Sequence, residues 1–323
     1  MIEVQDLTKY YGPHPALRGV TFTVNRGEVL GLLGPNAAGK TTTMRILTGY
    51  LPATSGTAKV AGYDIAEQPI EAKRQIGYLP ENVPLYPEMS VRGYLDFVAE
   101  LRGVPRKVKK ARLDEVCELA RITNVTDTLV GKISRGYRQR VGIAQALIHR
   151  PSVLILDEPT VGLDPKQIIE TRQLIKNLGG DHTVILSSHI LPEVSMTCNR
   201  IVIINEGKVA AVDTPDNLTR RLQGSSRVRV EARGPREQIV ETIQRLAGVL
   251  AVEAEQGISP DLIVCHVECE AEADARERIA AAIVGGGWGL LEMRGVRLSL
   301  EEVFLKLTTE EEVAADEEEE SGE

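Results

Sequence analysis

Apolar residues in this chain fall into two kinds of run. Short, nearly continuous ones close on glycine or polar residues: VLGLLG from Val29, VLILDE from Val153, TVILSSH from Thr183, and RIVIINEGKVAAVDT from Arg200, which reads as a hairpin. Runs of this length between turn residues predict strands buried on both faces, as in a parallel sheet. Other apolar residues recur every three or four positions. Ser90 stands as an N-cap before VRGYLDFVAELRGV. Lys109 to Ile122 bring Leu113, Val116, Cys117 and Ala120 to one face. Ser134 precedes a helix carrying Val141, Ala144, Gln145 and Ile148 at helical spacing, and KQIIETRQLIKNL is a further helix.

Residues 1 to about 84 therefore read as strands around one helix, with SGTAKVAGYD as a hairpin. Residues 85 to 150 are helical, and 151 to 220 return to strand and helix in alternation, so the class is α/β. QGSS near Leu222 to Ser226 predicts a linker. Beyond it the pattern predicts strand (Val228 to Ala232), helix (Pro235 to Leu246), strand (Val249 to Ala254), strand (Leu262 to Glu268), helix (Ala273 to Ile283), strand (Gly289 to Met293) and helix (Leu300 to Leu307). That βαββαβ order suggests a small α+β ferredoxin-like domain.

The chemistry concentrates at the ends of the apolar strands. GLLGPNAAGKTT, residues 31 to 42, fits the P-loop pattern GxxxxGK[ST] and predicts a nucleoside triphosphate site. The candidate binding set is Gly34, Pro35, Asn36, Ala37, Ala38, Gly39, Lys40, Thr41 and Thr42. Backbone amides of such a loop surround phosphate oxygens, Lys40 reaches the β- and γ-phosphates, and the Thr41 hydroxyl coordinates Mg²⁺. Lys40 is expected as an exposed loop lysine.

VLILDEPT leaves Asp157 and Glu158 at the C-terminal edge of a buried strand, where open α/β sheets bind ligands. Asp157 suits the hydrated metal, and Glu158 suits orienting or deprotonating a water. Ser134 and Gly136 begin a helix whose amides suit an anion. His189 follows another strand; a histidine in such a place is as readily structural as catalytic.

P-loop, serine-glycine helix start, Asp-Glu strand and strand-histidine, in this order, resemble the ATP-binding cassette family over about residues 1 to 220. The resemblance implies a P-loop NTPase cassette with a RecA-like core, a β subdomain and a helical subdomain at about 85 to 150. It places the cassette at 1 to 222, the appended domain at 227 to 308 and a disordered acidic tail at 309 to 323. Matched motif by motif, it makes Lys40 and Thr41 the Walker A residues, Asp157 the Walker B aspartate, Glu158 the catalytic glutamate and His189 the switch histidine. Ser134 and Gly136 fall in the signature, Asp164 in the D-loop, and Tyr11 is the ring that stacks on adenine.

Three motifs depart from the family pattern. Ala37 stands where glycine is usual, Arg135 replaces the first signature glycine with Tyr137 in place of glutamine, and Glu81 occupies the glutamine position of the Q-loop, retaining an oxygen for the Mg²⁺ shell. Because the other phosphate-contacting positions are retained, the loop is expected to settle with Ala37 at φ < 0. YLPEN and SRGYRQR are similar to the type-2 exporter branch, in particular to ATPases associated with gliding motility.

The implied activity is ATP hydrolysis coupled to export. The implied cofactors are ATP and Mg²⁺, and the implied partners a second cassette, as homo- or heterodimer, and a separate integral membrane permease. The alternatives are a soluble non-transport ABC ATPase and a regulatory ATP-binding module; a single cassette without heptads or a basic arm disfavours ribosome or DNA work.

Composition adjusts this picture in a few places. At 323 residues the chain suggests about two domains of ~150 residues each. Its charge of −8 is misleading: Glu310 to Glu323 hold nine acidic residues and no basic one, so the rest carries +1. Bulk charge thus predicts no nucleic-acid partner, and Arg138 and Arg140 read as a helix face. MIEVQDLTKYY lacks a basic-then-apolar opening, and no apolar run approaches the ~18 residues of a membrane helix. Four scattered cysteines suit a reducing cytosol; the family resemblance implies a cytoplasmic chain peripheral on the inner face of the cell membrane. Cys265 and Cys269 would share one strand face with His266 on the other, which disfavours zinc.

Overall fold

The computed structural model describes residues 1–221, 225–256, 262–270 and 275–296. The chain divides into two units, Met1–Pro215 and Asp216–Glu323. The first contains β1 (Ile2–Tyr11), β2 (His14–Val24), β3 (Val29–Leu33), α1 (Lys40–Leu47), β4 (Ser55–Val60), β5 (Tyr63–Asp64), α2 (Pro69–Arg74), β6 (Ile76–Leu79), α3 (Val91–Leu101), α4 (Arg106–Leu119), α5 (Arg135–Leu147), β7 (Val153–Leu156), α6 (Pro165–Leu178), β8 (Thr183–Ser188), α7 (Leu191–Thr197), β9 (Arg200–Asn205) and β10 (Lys208–Asp213).

Two sheets organise this unit. One has the order β2-β1-β4-β5 and is antiparallel throughout. The other runs β10-β9-β3-β8-β7-β6, parallel except for the edge strand β10. Every residue of β3, β7 and β8 is buried, which is why these strands read as unbroken apolar runs. The core joins Leu30 and Leu32 of β3 and Ile155 of β7 to Met44 and Leu47 of α1 and Val4, Leu7 and Val20 of β1 and β2.

Within the helical stretch, Ser90 caps α3, its Oγ accepting from the Gly93 amide at 3.1 Å. Leu113, Val116, Cys117 and Ala120 of the α4 segment are buried as their spacing predicts. The helix begins at Arg106, one turn before the predicted Lys109. Its first turn, Arg-Lys-Val, buries none of its side chains, Val108 being exposed, so it does not extend the apolar period.

In the second unit α8 (Pro215–Arg221) leads to β11 (Ser225–Arg233), α9 (Arg236–Gln244), β12 (Val249–Gln256), β13 (Leu262–Glu270), α10 (Arg276–Gly285) and β14 (Gly289–Val296). The antiparallel sheet has the order β12-β13-β11-β14. Alternate residues Val228, Val230 and Ala232 of β11 and Ile263, Cys265, Val267 and Cys269 of β13 are buried with Ile239, Ile243, Ile279 and Ile283 of the two helices. The predicted helix at Leu300 to Leu307 and the acidic tail lie outside the described residues. Among the described residues no helix is long and apolar enough to cross a membrane.

Candidate functional site

The central strands of the parallel sheet end in backbone turns that aim polar groups at one place. β3 ends at Leu33 and the chain wraps through Gly34 to Gly39 before α1 begins at Lys40. Gly39 takes φ 109, and a β-carbon there would come 2.7 Å from Leu17 Cδ2 and 2.9 Å from the Ala16 carbonyl oxygen, so the loop closes against β2 only with glycine. α1 then presents its first turn to a cleft of about 430 Å³. The cleft is lined by Asn36 to Thr42, Glu81, Glu158, Val161 and His189.

Lys40 is not the exposed lysine its loop position suggests: only 6% of it is accessible. Its Nζ donates to the carbonyls of Gly34 at 2.7 Å and Pro35 at 2.9 Å and stands 3.9 Å from Glu158 Oε1. Burial pushes its ammonium below the usual lysine range, while the carboxylates of Glu158, Asp157 and Glu81 pull it part of the way back. The loop folds over its own lysine, which the sequence pattern does not encode.

Ala37 takes φ 67, so the expectation of φ < 0 is overturned. The turn from strand to helix requires left-handed backbone at this point, and the β-carbon is accommodated at a cost rather than avoided.

Asp157 and Glu158 follow β7, both buried. β7 and β8 run parallel with Leu156 opposite Leu186, so the next residues, Asp157 and Ser187, meet at the strand ends. The Ser187 hydroxyl donates to Asp157 Oδ1 at 2.7 Å and accepts from the Glu158 amide at 2.8 Å. Thr41 Oγ1 lies 3.3 Å from the same Asp157 oxygen. Glu158 holds φ 47, an uncommon conformation for a non-glycine residue, and its carboxylate meets His189 Nδ1 at 3.1 and 3.2 Å. Just beyond, Thr160 donates its hydroxyl to the buried Glu193 of α7. The sequence reading did not single out Ser187, Val161 or Glu193. The signal in the sequence that could have found Ser187 is a hydroxyl two residues before the histidine, at the end of an apolar run.

Lys40, Thr41, Asp157, Glu158, Glu81 and His189 are thus brought together. Tyr11 is outside the lining of the cleft, at the end of β1, 45% exposed with Lys9 Nζ 5.6 Å from its ring centre. Ser134 and Gly136 also stand apart from it. Ser134 caps α5 by accepting from the Tyr137 amide at 3.4 Å, and Gly136 lies against Gln167 of α6.

Comparison with known proteins bears on this arrangement. The ABC transporter family model matches residues 17–161, the segment from β2 past the Asp-Glu pair. The linearmycin resistance ATP-binding protein LnrL of Bacillus subtilis (strain 168) is 34% identical over 312 residues, 95% of this chain and 98% of that protein. The chain belongs to the ABC transporter ATP-binding proteins. The daunorubicin resistance ATP-binding protein DrrA2 of Streptomyces coeruleorubidus is 34% identical over 95% of this chain and 94% of its own length. The solved ATP-binding subunit of an ABC transporter superimposes with a TM-score of 0.63 at 32% identity, over 69% of this chain and 93% of that one. Membership in the family makes this an ATP-binding protein and its fold that of an ABC cassette.

Proposed function

We propose that this chain is the ATP-hydrolysing subunit of an ABC exporter, working from the cytoplasmic face of a membrane through a separate permease. The observation that carries this reading is the convergence of Lys40, Thr41, Asp157, Glu158 and His189 on one cleft. Export is supported by the two full-length relatives, both resistance proteins by name. The narrower likeness to gliding-motility ATPases rests on YLPEN and SRGYRQR alone, and neither relative carries that description.

In this reading the amides from Asn36 to Thr42 and the Lys40 ammonium hold the phosphates, and Tyr11 offers its exposed ring to adenine. The Thr41 hydroxyl and the Asp157 and Glu81 carboxylates are hard oxygen donors of the kind Mg²⁺ takes, and the first two already lie together. The metal, when bound, neutralises phosphate charge. Glu158 accepts the proton of the attacking water, and His189 orients the Glu158 carboxylate toward the γ-phosphate. Ser134 and Gly136, apart from their own cleft, complete that of a second copy paired head to tail. The helical subdomain at 85 to 150 passes closure to the permease. The second unit is a ferredoxin-like appended domain, supported by its βαββαβ order.

Lys40→Ala tests the assignment. The purified variant is expected to lose ATP affinity by two orders of magnitude or more in calorimetry while keeping its circular dichroism spectrum, the loss of charge-assisted phosphate contacts being worth roughly 3 kcal/mol. Parental affinity with parental turnover would remove the P-loop role.

A further inference from the structure

The nucleotide cleft of this chain is short of positive charge. Among the described residues that line it, Lys40 is the sole lysine or arginine, and it is already held by two carbonyls beside Glu158. Glu81 and Glu158 line the same space, with the Asp157 carboxylate beside Thr41. A triphosphate adds more negative charge, and phosphoryl transfer depends on neutralising the charge around the γ-phosphate.

A cation of the right kind sits unused elsewhere on the chain. Arg135 is the first residue of α5, directly after Ser134, and it is exposed. Among the described residues no carboxylate lies within ion-pair distance of it, whereas Arg140 on the same helix is engaged with Glu170. The first turn of α5 has no acidic residue, and Lys132 and Arg138 are exposed on either side. The guanidinium is also placed rather than loose. It lies over the turn between β7 and α6, where a β-carbon on Gly162 would come 2.3 Å from Arg135 Cζ and 2.4 Å from a terminal nitrogen. Gly162, at φ 71, leaves the room that any side chain would fill.

We propose that Arg135 donates to the γ-phosphate of ATP held in the P-loop of a second copy of this chain, adding across the interface a second side-chain cation to the single lysine of each cleft. The proposal rests on the head-to-tail pairing of the preceding subsection. It joins two departures from the family pattern: Glu81 adds a negative charge to the cleft, and Arg135 brings a positive one from the facing copy. The planar fork of arginine suits phosphate oxygens, and the Ser134 hydroxyl and the amides of the α5 start stand next to it. Since the contact is to the third phosphate, ATP senses it and ADP does not.

Complementation between two variants decides the matter. Arg135→Ala is expected to lower kcat about 10- to 100-fold, the loss of a hydrogen bond to a charged group, to leave ADP affinity unchanged, and to be partly rescued by Arg135→Lys. Lys40→Ala alone is inactive. In a mixture of the two, one composite site of each mixed pair joins an intact P-loop to an intact Arg135, so hydrolysis rises above the residual rate of Arg135→Ala alone. If the arginine served its own copy, no site would be whole and the mixture would not exceed that residual rate. The absence of a rise, or parental turnover by Arg135→Ala, overturns the proposal. Failure of the pairing itself is told apart by sedimentation of Glu158→Gln with Mg-ATP: a chain that stays monomeric there removes the dimer, whereas a dimer indifferent to Arg135→Ala removes only the arginine.

Discussion

Ala37 carries a β-carbon at φ 67, in the middle of a loop whose other positions suit a phosphate. Left-handed backbone costs an ordinary residue about 1 kcal/mol or more, and glycine relieves it. Ala37→Gly is therefore expected to tighten ATP binding a few-fold and to raise the melting temperature, checked by paired calorimetry and thermal melts; weaker binding with a lower melting point would mean that the strain is absent. The residue type and its departure from the family pattern are legible in the sequence, but the sign of φ is not. It is set by how Gly34 to Gly39 must turn to bring α1 under the β2 edge. Lys40 makes the same point: its identity predicts phosphate contact, while its burial and its two carbonyl partners depend on the loop wrapping over it.

At the scale of elements, α5 is held at both ends by neighbours. Ser134 caps its start. At its finish, where helix carbonyls lack internal partners, the buried Arg112 of α4 donates from Nε to the Ile148 carbonyl at 3.1 Å and from a terminal nitrogen to that of Leu147. Glu115 binds Arg112 at 2.7 Å and Arg150 at 3.0 Å. The apolar period of α4 was readable; a buried arginine beside that face was not, because its partner is the end of another helix.

His149, one step further, places Nε2 3.0 Å from the Ile76 carbonyl of β6. Burial pushes its pKa down from 6.5 to about 4, with the charges of Arg102 and Arg112 acting in the same direction. A folded pKa below the unfolded one means that the unfolded chain takes up the proton first. The stabilisation is full above pH 6.5 and is lost as pH falls toward 4. Melts of the parent should drop through that window more steeply than those of His149→Gln, whose amide still has a donor for Ile76. Equal slopes would show that His149 does not set the acid limb.

For the whole molecule, the cleft predicts an assembly. Glu158→Gln keeps the shape and the His189 contact but removes proton acceptance, so Mg-ATP should trap a pair of chains. Sedimentation velocity is expected to report a larger species for the variant than for the parent in Mg-ATP, and a monomer that hydrolyses ATP at the parental rate would reject Glu158 as the base. The sequence by itself determined the order of elements, the two kinds of hydrophobic period and the motif residues, because each depends on local spacing and side-chain type. Tertiary structure alone decided which of those residues meet. Thr41 and Asp157, 116 positions apart, touch, and Ser187 joins Asp157 to the Glu158 backbone, because three strands distant in the chain lie parallel with their C-terminal ends together. Register between strands, the hand of a loop residue and the partner of a buried charge are set by contacts that no local pattern records.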